Sequence, residues 1–128
     1  MSPAVLEVLT WGYNRTTPPP ADLAINVRWI PNPFHIPEFH DLTGLDIPVQ
    51  EWVFAQPCVT TWFDGLRVVL RGILDGTELR GGRLVTAAIG CQGGHDRSVA
   101  IARRLAEAFE RDGTRTHVRH LNFVRGPR

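Results

Sequence analysis

Residues 87–109, AAIGCQGGHDRSVAIARRLAEAF, decide how this chain is read. They carry an apolar run into a helical pattern through a cysteine, two adjacent glycines and an arginine. Upstream, RLVTAAIG (83–90) is almost continuously apolar, which predicts a strand buried on both faces. Downstream, Val99, Ala102, Leu105, Ala106 and Phe109 fall on one helical stripe. Arg103 with Glu107, and Glu107 with Arg111, are spaced as i,i+4 pairs on its solvent side. A strand that turns tightly into a helix is the repeating unit of α/β folds.

The junction has chemistry of its own. A helix that starts near Arg97 or Ser98 presents unpaired N–H groups and a partial positive charge to whatever precedes it. Gly93 and Gly94 let the backbone curl with its N–H groups inward, as an anion-binding nest. Arg97 can close such a site with a forked guanidinium, and Ser98 can donate a hydroxyl. In open α/β sheets, ligands bind beyond the carboxyl ends of the strands, where this loop lies. The competing reading is a turn whose glycines serve packing alone. The loop is neither G-x-x-x-x-G-K-[ST] nor G-x-G-x-x-G.

The remaining elements are read outward from this unit. AVLEVLTW (4–11) predicts an opening strand, and GYNRTTPPPAD (12–22) a loop. LAINVRWI (23–30) predicts a second strand, and the prolines of PNPFHIPEF (31–39) forbid regular structure after it. Asp46 is placed as N-cap of a short helix, IPVQEWVFAQ (47–56), with Pro48 in its first turn and Pro57 after its end. From Cys58 to Asp75, Val59, Trp62, Phe63, Leu66, Val69, Leu70 and Ile73 mark a strongly amphipathic helix that Gly76 should stop. Asp112-Gly113 ends the next helix, and RTHVRHL (115–121) is a final strand. The expectation is one α/β domain over residues 1–128, with a mixed or largely parallel sheet and flanking helices.

With 128 residues and 43% hydrophobic content, the chain can bury a core. No apolar run is long enough to span a bilayer, and no charged n-region with an h-region opens the chain, so the expectation is a cytoplasmic protein without a membrane partner. Cys58 and Cys91 fit no disulfide framework or metal finger and are read as free thiols. The chain has no lysine. Its six Arg against ten acids in residues 1–96 give −4, and eight Arg against three acids in 97–128 give +5. That basic final quarter attracts anions, although the pI of about 7.9 argues against a dedicated nucleic-acid binder.

Two resemblances bear on the loop. Cys91, Arg97 and Ser98 have the spacing C-x5-R-S, which resembles the phosphate loop of cysteine-dependent protein tyrosine phosphatases. A thiol at a helix N-terminus beside an arginine has a depressed pKa, so Cys91 would be the nucleophile of such an enzyme. Its general acid would be Asp64, Asp75 or Asp96, none singled out by context, and Gly90 stands where those phosphatases usually have His.

The second resemblance covers nearly the whole chain. TWGYN, ADLAINVRWIPNPFHIPEFHDLTGLD, AIGCQGGHDRSVAIARRLAEAF and THVRH, in this order, resemble the C-terminal domain of the RapZ/YvcJ family of bacterial proteins, which includes an RNase adapter. Members usually carry an N-terminal P-loop domain, so the resemblance implies a stand-alone copy of the second domain. It further implies a regulatory ligand-binding module for a phosphorylated small molecule: a sugar phosphate, nucleotide or nucleotide-sugar. Carried over by position, the pocket uses Cys91, Gln92, Gly93, Gly94, His95, Arg97 and Ser98, bordered by Arg28 and Asn32. No cofactor is implied. Departures from the family pattern are Gln92 for Thr, Asp96 for His, Asn14 for Lys, Phe34 for His and Leu121-Asn122 for Arg-Asp.

Lesser signals are weighed beside these. His117 and His120 are three apart on a strand and point to opposite faces, and His35 and His40 lack partner cysteines, so no metal is expected. Trp11, Trp52 and Trp62 read as core, with Trp29 less fixed by pattern. Arg115, Arg119, Arg125 and Arg128 form a basic edge, for which weak, salt-labile RNA binding is the expectation. A homo-oligomer or a separate partner protein stays open at this level.

Overall fold

A computed structural model describes residues 3–123. Four strands, β1 (Val5–Gly12), β2 (Leu23–Asn26), β3 (Leu84–Cys91) and β4 (Thr116–His120), form one sheet in the order β2-β3-β1-β4. Every pairing is parallel, with Val5 opposite Leu84 and Gly12 opposite Cys91 in the central pair. The helices are α1 (Ile47–Phe54), α2 (Val59–Leu79) and α3 (Arg97–Arg111). The α/β reading and the largely parallel sheet therefore hold.

The side-chain alternation of the strands sorts the sheet into two faces. Leu6, Val8, Val85, Ala87 and Ile89 join buried residues of all three helices in one core, including Val53, Leu70, Leu74, Ile101 and Leu105. The helices thus pack on one face. On the other, Leu9, Trp11 and Ala88 form a small second cluster with Tyr13 against it. The β1–β2 connection must cross β3 with no helix, and the right-handed rule for parallel crossovers puts residues 13–22 over that second face.

Several boundaries differ from the sequence expectation, each for a local reason. β2 stops at Asn26 rather than running to Ile30, because the Asn26 Oδ1 accepts the Arg28 N–H at 2.8 Å and closes an Asx turn. The Ile30 N–H then bonds the Val27 carbonyl at 3.1 Å, turning the chain off the sheet. The proline stretch is not without regular structure. It forms two 3-10 turns, Pro33–His35 and Pro37–Phe39, whose first-turn prolines need no N–H partner. α1 ends at Phe54, two residues early, and Asp46 has an extended backbone but does not cap with its side chain. Its carboxylate turns back to accept the Thr43 N–H at 2.7 Å. α2 continues through Gly76 to Leu79, and Gly81 at φ +79° is the residue that reverses the chain. On α3, Arg103 and Glu107 pair at 3.6 Å, whereas Glu107 and Arg111 form no ion pair among the described residues. Trp11 is fully buried, Trp52 and Trp62 are partly buried, and Trp29 is exposed with its ring edge-on to Trp62 at 5.3 Å.

Candidate functional site

The carboxyl ends of the strands gather the loops that sequence reasoning singled out. β3 ends at Cys91, residues 92–96 turn, and α3 begins at Arg97. The turn lies against the end of β1. The Tyr13 N–H bonds the Cys91 carbonyl at 2.9 Å, and the Asn14 N–H bonds the Gln92 carbonyl at 3.0 Å. A Cβ on Gly12 would stand 2.5 Å from the Gly93 carbonyl carbon, and one on Gly94, at φ +72°, 2.7 Å from the Gly12 nitrogen. Main chain therefore touches main chain there, so Gly94 has a packing reason of its own. Gly93 has none, since a Cβ on it would meet nothing within 4 Å.

The predicted residues occupy different places. Cys91 and Ser98 are both buried, and their Sγ and Oγ share a hydrogen bond at 3.1 Å under the turn. Arg97 is buried and reaches the 28–30 segment. Its Nη1 donates to the Arg28 carbonyl at 2.9 Å and to the Ile30 carbonyl at 2.8 Å. These are the carbonyls that the Asx turn at Asn26 swings toward it. Burial pulls the Arg97 guanidinium below its ordinary pKa; Cys91 and Asp96 draw it back up, and the neighbouring Arg28 lowers it further. Asn32 caps the first 3-10 turn by accepting the Phe34 N–H at 3.1 Å. Gln92 is exposed, and His95 lies with its Nδ1 3.0 Å from the Asp96 Oδ1 and its ring stacked on Phe123 at 5.1 Å.

The first turn of α3 carries the electrostatic signature of the site. The N–H groups of Gly93, Gly94, Arg97, Ser98 and Val99 have no acceptor among the described residues. Gly94, Arg97, Ser98 and Val99 are buried, where a main-chain donor is almost always satisfied. The outer wall of α3 is fixed independently: a Cβ on Gly44 would stand 2.3 Å from the Asp96 carbonyl oxygen, so the 42–45 segment is pressed on the helix start. Buried Gln50 ties this wall together, donating to the Gly44 carbonyl at 2.9 Å and accepting from the Arg104 Nε at 2.8 Å.

Sequence reasoning did not single out four residues that shape this edge. Tyr13 underlies the Arg28 guanidinium, whose Cζ is 3.6 Å from the ring centroid. Asn122 accepts the Gly12 N–H at 2.7 Å, and Thr10 shares a 2.8 Å hydrogen bond with the His120 Nδ1. Phe123 stacks on His95. The TWGYN motif and the Leu121-Asn122 departure already marked three of these four neighbourhoods. Burial, then Arg103, hold the His120 imidazole below the usual histidine range. His117 is exposed while His120 is partly buried, and among the described residues no three metal-ligating side chains converge. Arg115, just before β4, and Arg119, near its end, are exposed; Arg125 and Arg128 lie outside the described residues. No described helix is long and apolar enough to cross a membrane.

The sequence that builds these strands, proline turns and loop has known relatives. The RapZ C-terminal domain family matches across residues 4–124. The chain belongs to that family. Relatives of the RapZ C-terminal domain type include a nucleotide-binding protein of Lactiplantibacillus plantarum, 39% identical over 118 residues, covering 92% of this chain and 40% of the relative. A nucleotide-binding protein of Thermobifida fusca is 36% identical over 118 residues, with the same coverage of 92% and 40%. One of Acidothermus cellulolyticus is 42% identical over 107 residues, 84% of this chain and 34% of the relative. The chain thus spans about two fifths of the length of the curated relatives it matches.

Proposed function

We propose that this RapZ-type domain is a regulatory module that binds the phosphate of a small phosphorylated molecule at the carboxyl edge of its sheet. A sugar phosphate, a nucleotide or a nucleotide-sugar meets that description. The observation that carries the reading is the set of five N–H groups, around the turn and the α3 start, that have no acceptor among the described residues. Anions satisfy such donors and also complement the helix dipole. Arg97 adds a fixed positive charge; its Nη1 holds the 28–30 turn, and its Nε and Nη2 have no acceptor among the described residues. Relatives that bear the name nucleotide-binding protein support the ligand class.

The test is a crystal grown or soaked in phosphate, paired with calorimetry. The expected result is an oxyanion within hydrogen-bonding reach of the N–H groups of residues 92–97, and Arg97→Ala weakening phosphate binding much more than Cys91→Ser. A charged hydrogen bond contributes about 1.5–3 kcal/mol. The Cys91 thiol, already bonded to Ser98, should contribute little. No density at the turn, or equal losses in the two variants, refutes this assignment. The Cys91–Ser98 contact also fits the phosphatase spacing, and that reading has its own test. Turnover of an aryl phosphate that vanishes in Cys91→Ser would make the domain an enzyme.

A further inference from the structure

We propose that Tyr13 is a positioning residue for the anion site, holding the Arg28 guanidinium flat on its ring so that Arg28 meets the ligand phosphate already oriented. The proposal rests on the phosphate-binding reading above and assigns a role to a side chain outside the glycine-rich loop. Arg28 is exposed, yet it is held from two sides. Its Cζ lies 3.6 Å from the Tyr13 ring centroid, and its Nε donates to the Asn26 Oδ1 at 3.1 Å. An exposed arginine ordinarily samples many rotamers, and ordering it costs conformational entropy at the moment of binding. Ring and Asx turn remove much of that freedom in advance.

The support beneath the ring is stiff. Tyr13 packs on Trp11 at 4.9 Å, and Trp11 is fully buried. Trp11 in turn lies on Gly90, where a Cβ would stand 2.5 Å from the indole. Gly90, Trp11, Tyr13 and Arg28 form a column from the sheet to its rim on the face without helices. The column is tied to the loop at Tyr13, whose N–H bonds the Cys91 carbonyl. The Arg28 carbonyl accepts from Arg97, so the column and the buried arginine share one turn of main chain. Arg28 forms no ion pair among the described residues, which leaves its charge for an anion. One arginine is thus held by carbonyls and the other by an aromatic face.

The test uses orthophosphate as probe, with binding read from 31P line broadening on the wild type, Tyr13→Leu, Tyr13→Phe, Arg28→Ala and Arg28→Ala/Tyr13→Leu. Tyr13→Leu keeps apolar cover over Trp11 but removes the π face, and should weaken binding about three- to fivefold. Tyr13→Phe should restore most of that loss. In the Arg28→Ala background, Tyr13→Leu should cost nothing more. An unchanged affinity in Tyr13→Leu, or an equal loss in both backgrounds, overturns the proposal. A ligand-free readout separates it from the reading on which it rests. The Arg28 Nε–H resonance should be ring-current shifted in the wild type and Tyr13→Phe, and a random-coil shift there overturns the proposal even if Tyr13→Leu fails to fold. A wild type that ignores phosphate, with the ring-current shift present, refutes the phosphate reading instead.

Discussion

Arg97 has a structural task that exists without any ligand, and Arg97→Met measures it. The substitution keeps an apolar stem of similar length and removes the donor to two main-chain carbonyls. The Arg28 carbonyl belongs to an exposed residue, where water replaces the lost bond at little cost. The Ile30 carbonyl belongs to a residue only 1% exposed, and its bond from Nη1 is 2.8 Å long. Losing a charged donor to that group costs about 1.5–3 kcal/mol. Relief from burying a guanidinium, the same burial that lowers its pKa, offsets part of this. A net loss of about 1–3 kcal/mol follows, or a fall in Tm of roughly 4–12 °C for a domain of this size. Urea unfolding followed by tryptophan fluorescence gives the first number, and amide shifts of residues 27–31 show whether the turn has moved. A change below about 0.5 kcal/mol with those shifts unaltered would mean that Arg97 does not hold the turn, and the two-task account would fail.

Further outcomes follow from other parts of the molecule. Gly12→Ala and Gly94→Ala should each destabilise by more than about 2 kcal/mol, whereas Gly93→Ala should stay within about 1 kcal/mol; comparable losses at all three positions in urea unfolding would contradict the main-chain contact. His120 has a folded pKa below its ordinary 6.5, so the unfolded chain binds more protons and stability falls as pH drops below about that value. The wild type should therefore lose more stability between pH 7.5 and pH 5 than His120→Asn, and parallel pH profiles would remove His120 from the acid response. Cys58 sits at φ +71° before α2, so Cys58→Gly should stabilise by about 0.5–1 kcal/mol; a loss of stability would show that its side chain matters there. RNA binding should be weak and indifferent to sequence, with a log–log salt slope no steeper than about −3 for four arginines, and filter binding that separates two unrelated RNAs at physiological salt would favour an adapter role.

The sequence was most legible where one segment carried its own signal. The apolar run before Cys91 and the stripe from Val99 to Phe109 predicted β3, the turn and α3 within a residue of their observed bounds. Where two signals competed, the pattern misled. Val27 and Ile30 continue the strand-like character of β2, but the Asn26 side chain offers the backbone a turn, and the burial of Val27 and Ile30 is met off the sheet. Gly76 reads as a stop because glycine weakens helices by about 1 kcal/mol, yet α2 runs on and Glu78 accepts the Ala4 N–H at 2.8 Å across to the start of β1. Contacts between distant segments had no local trace. Arg97 reads as a ligand-facing arginine from its neighbours alone, since nothing near it in sequence announces the carbonyls of residues 28 and 30. Tyr13 stands within the TWGYN motif, but its place beneath Arg28 depends on the Asx turn at Asn26, which the strand-like pattern of residues 23–30 hides.

The contact between Gly12 and Gly94 makes two positions, 82 apart in the chain, behave as one unit of heredity. At most packing sites a bulky change can be answered by a smaller partner. Here no smaller partner exists, because each missing Cβ faces main-chain atoms that every amino acid possesses. Mutational drift around the turn is therefore confined to the outer loop residues, Gln92 and Gly93, while the height of the loop above the sheet is inherited unchanged. A designer seeking a different ligand would vary those two positions and Asn14, and leave the glycine pair alone.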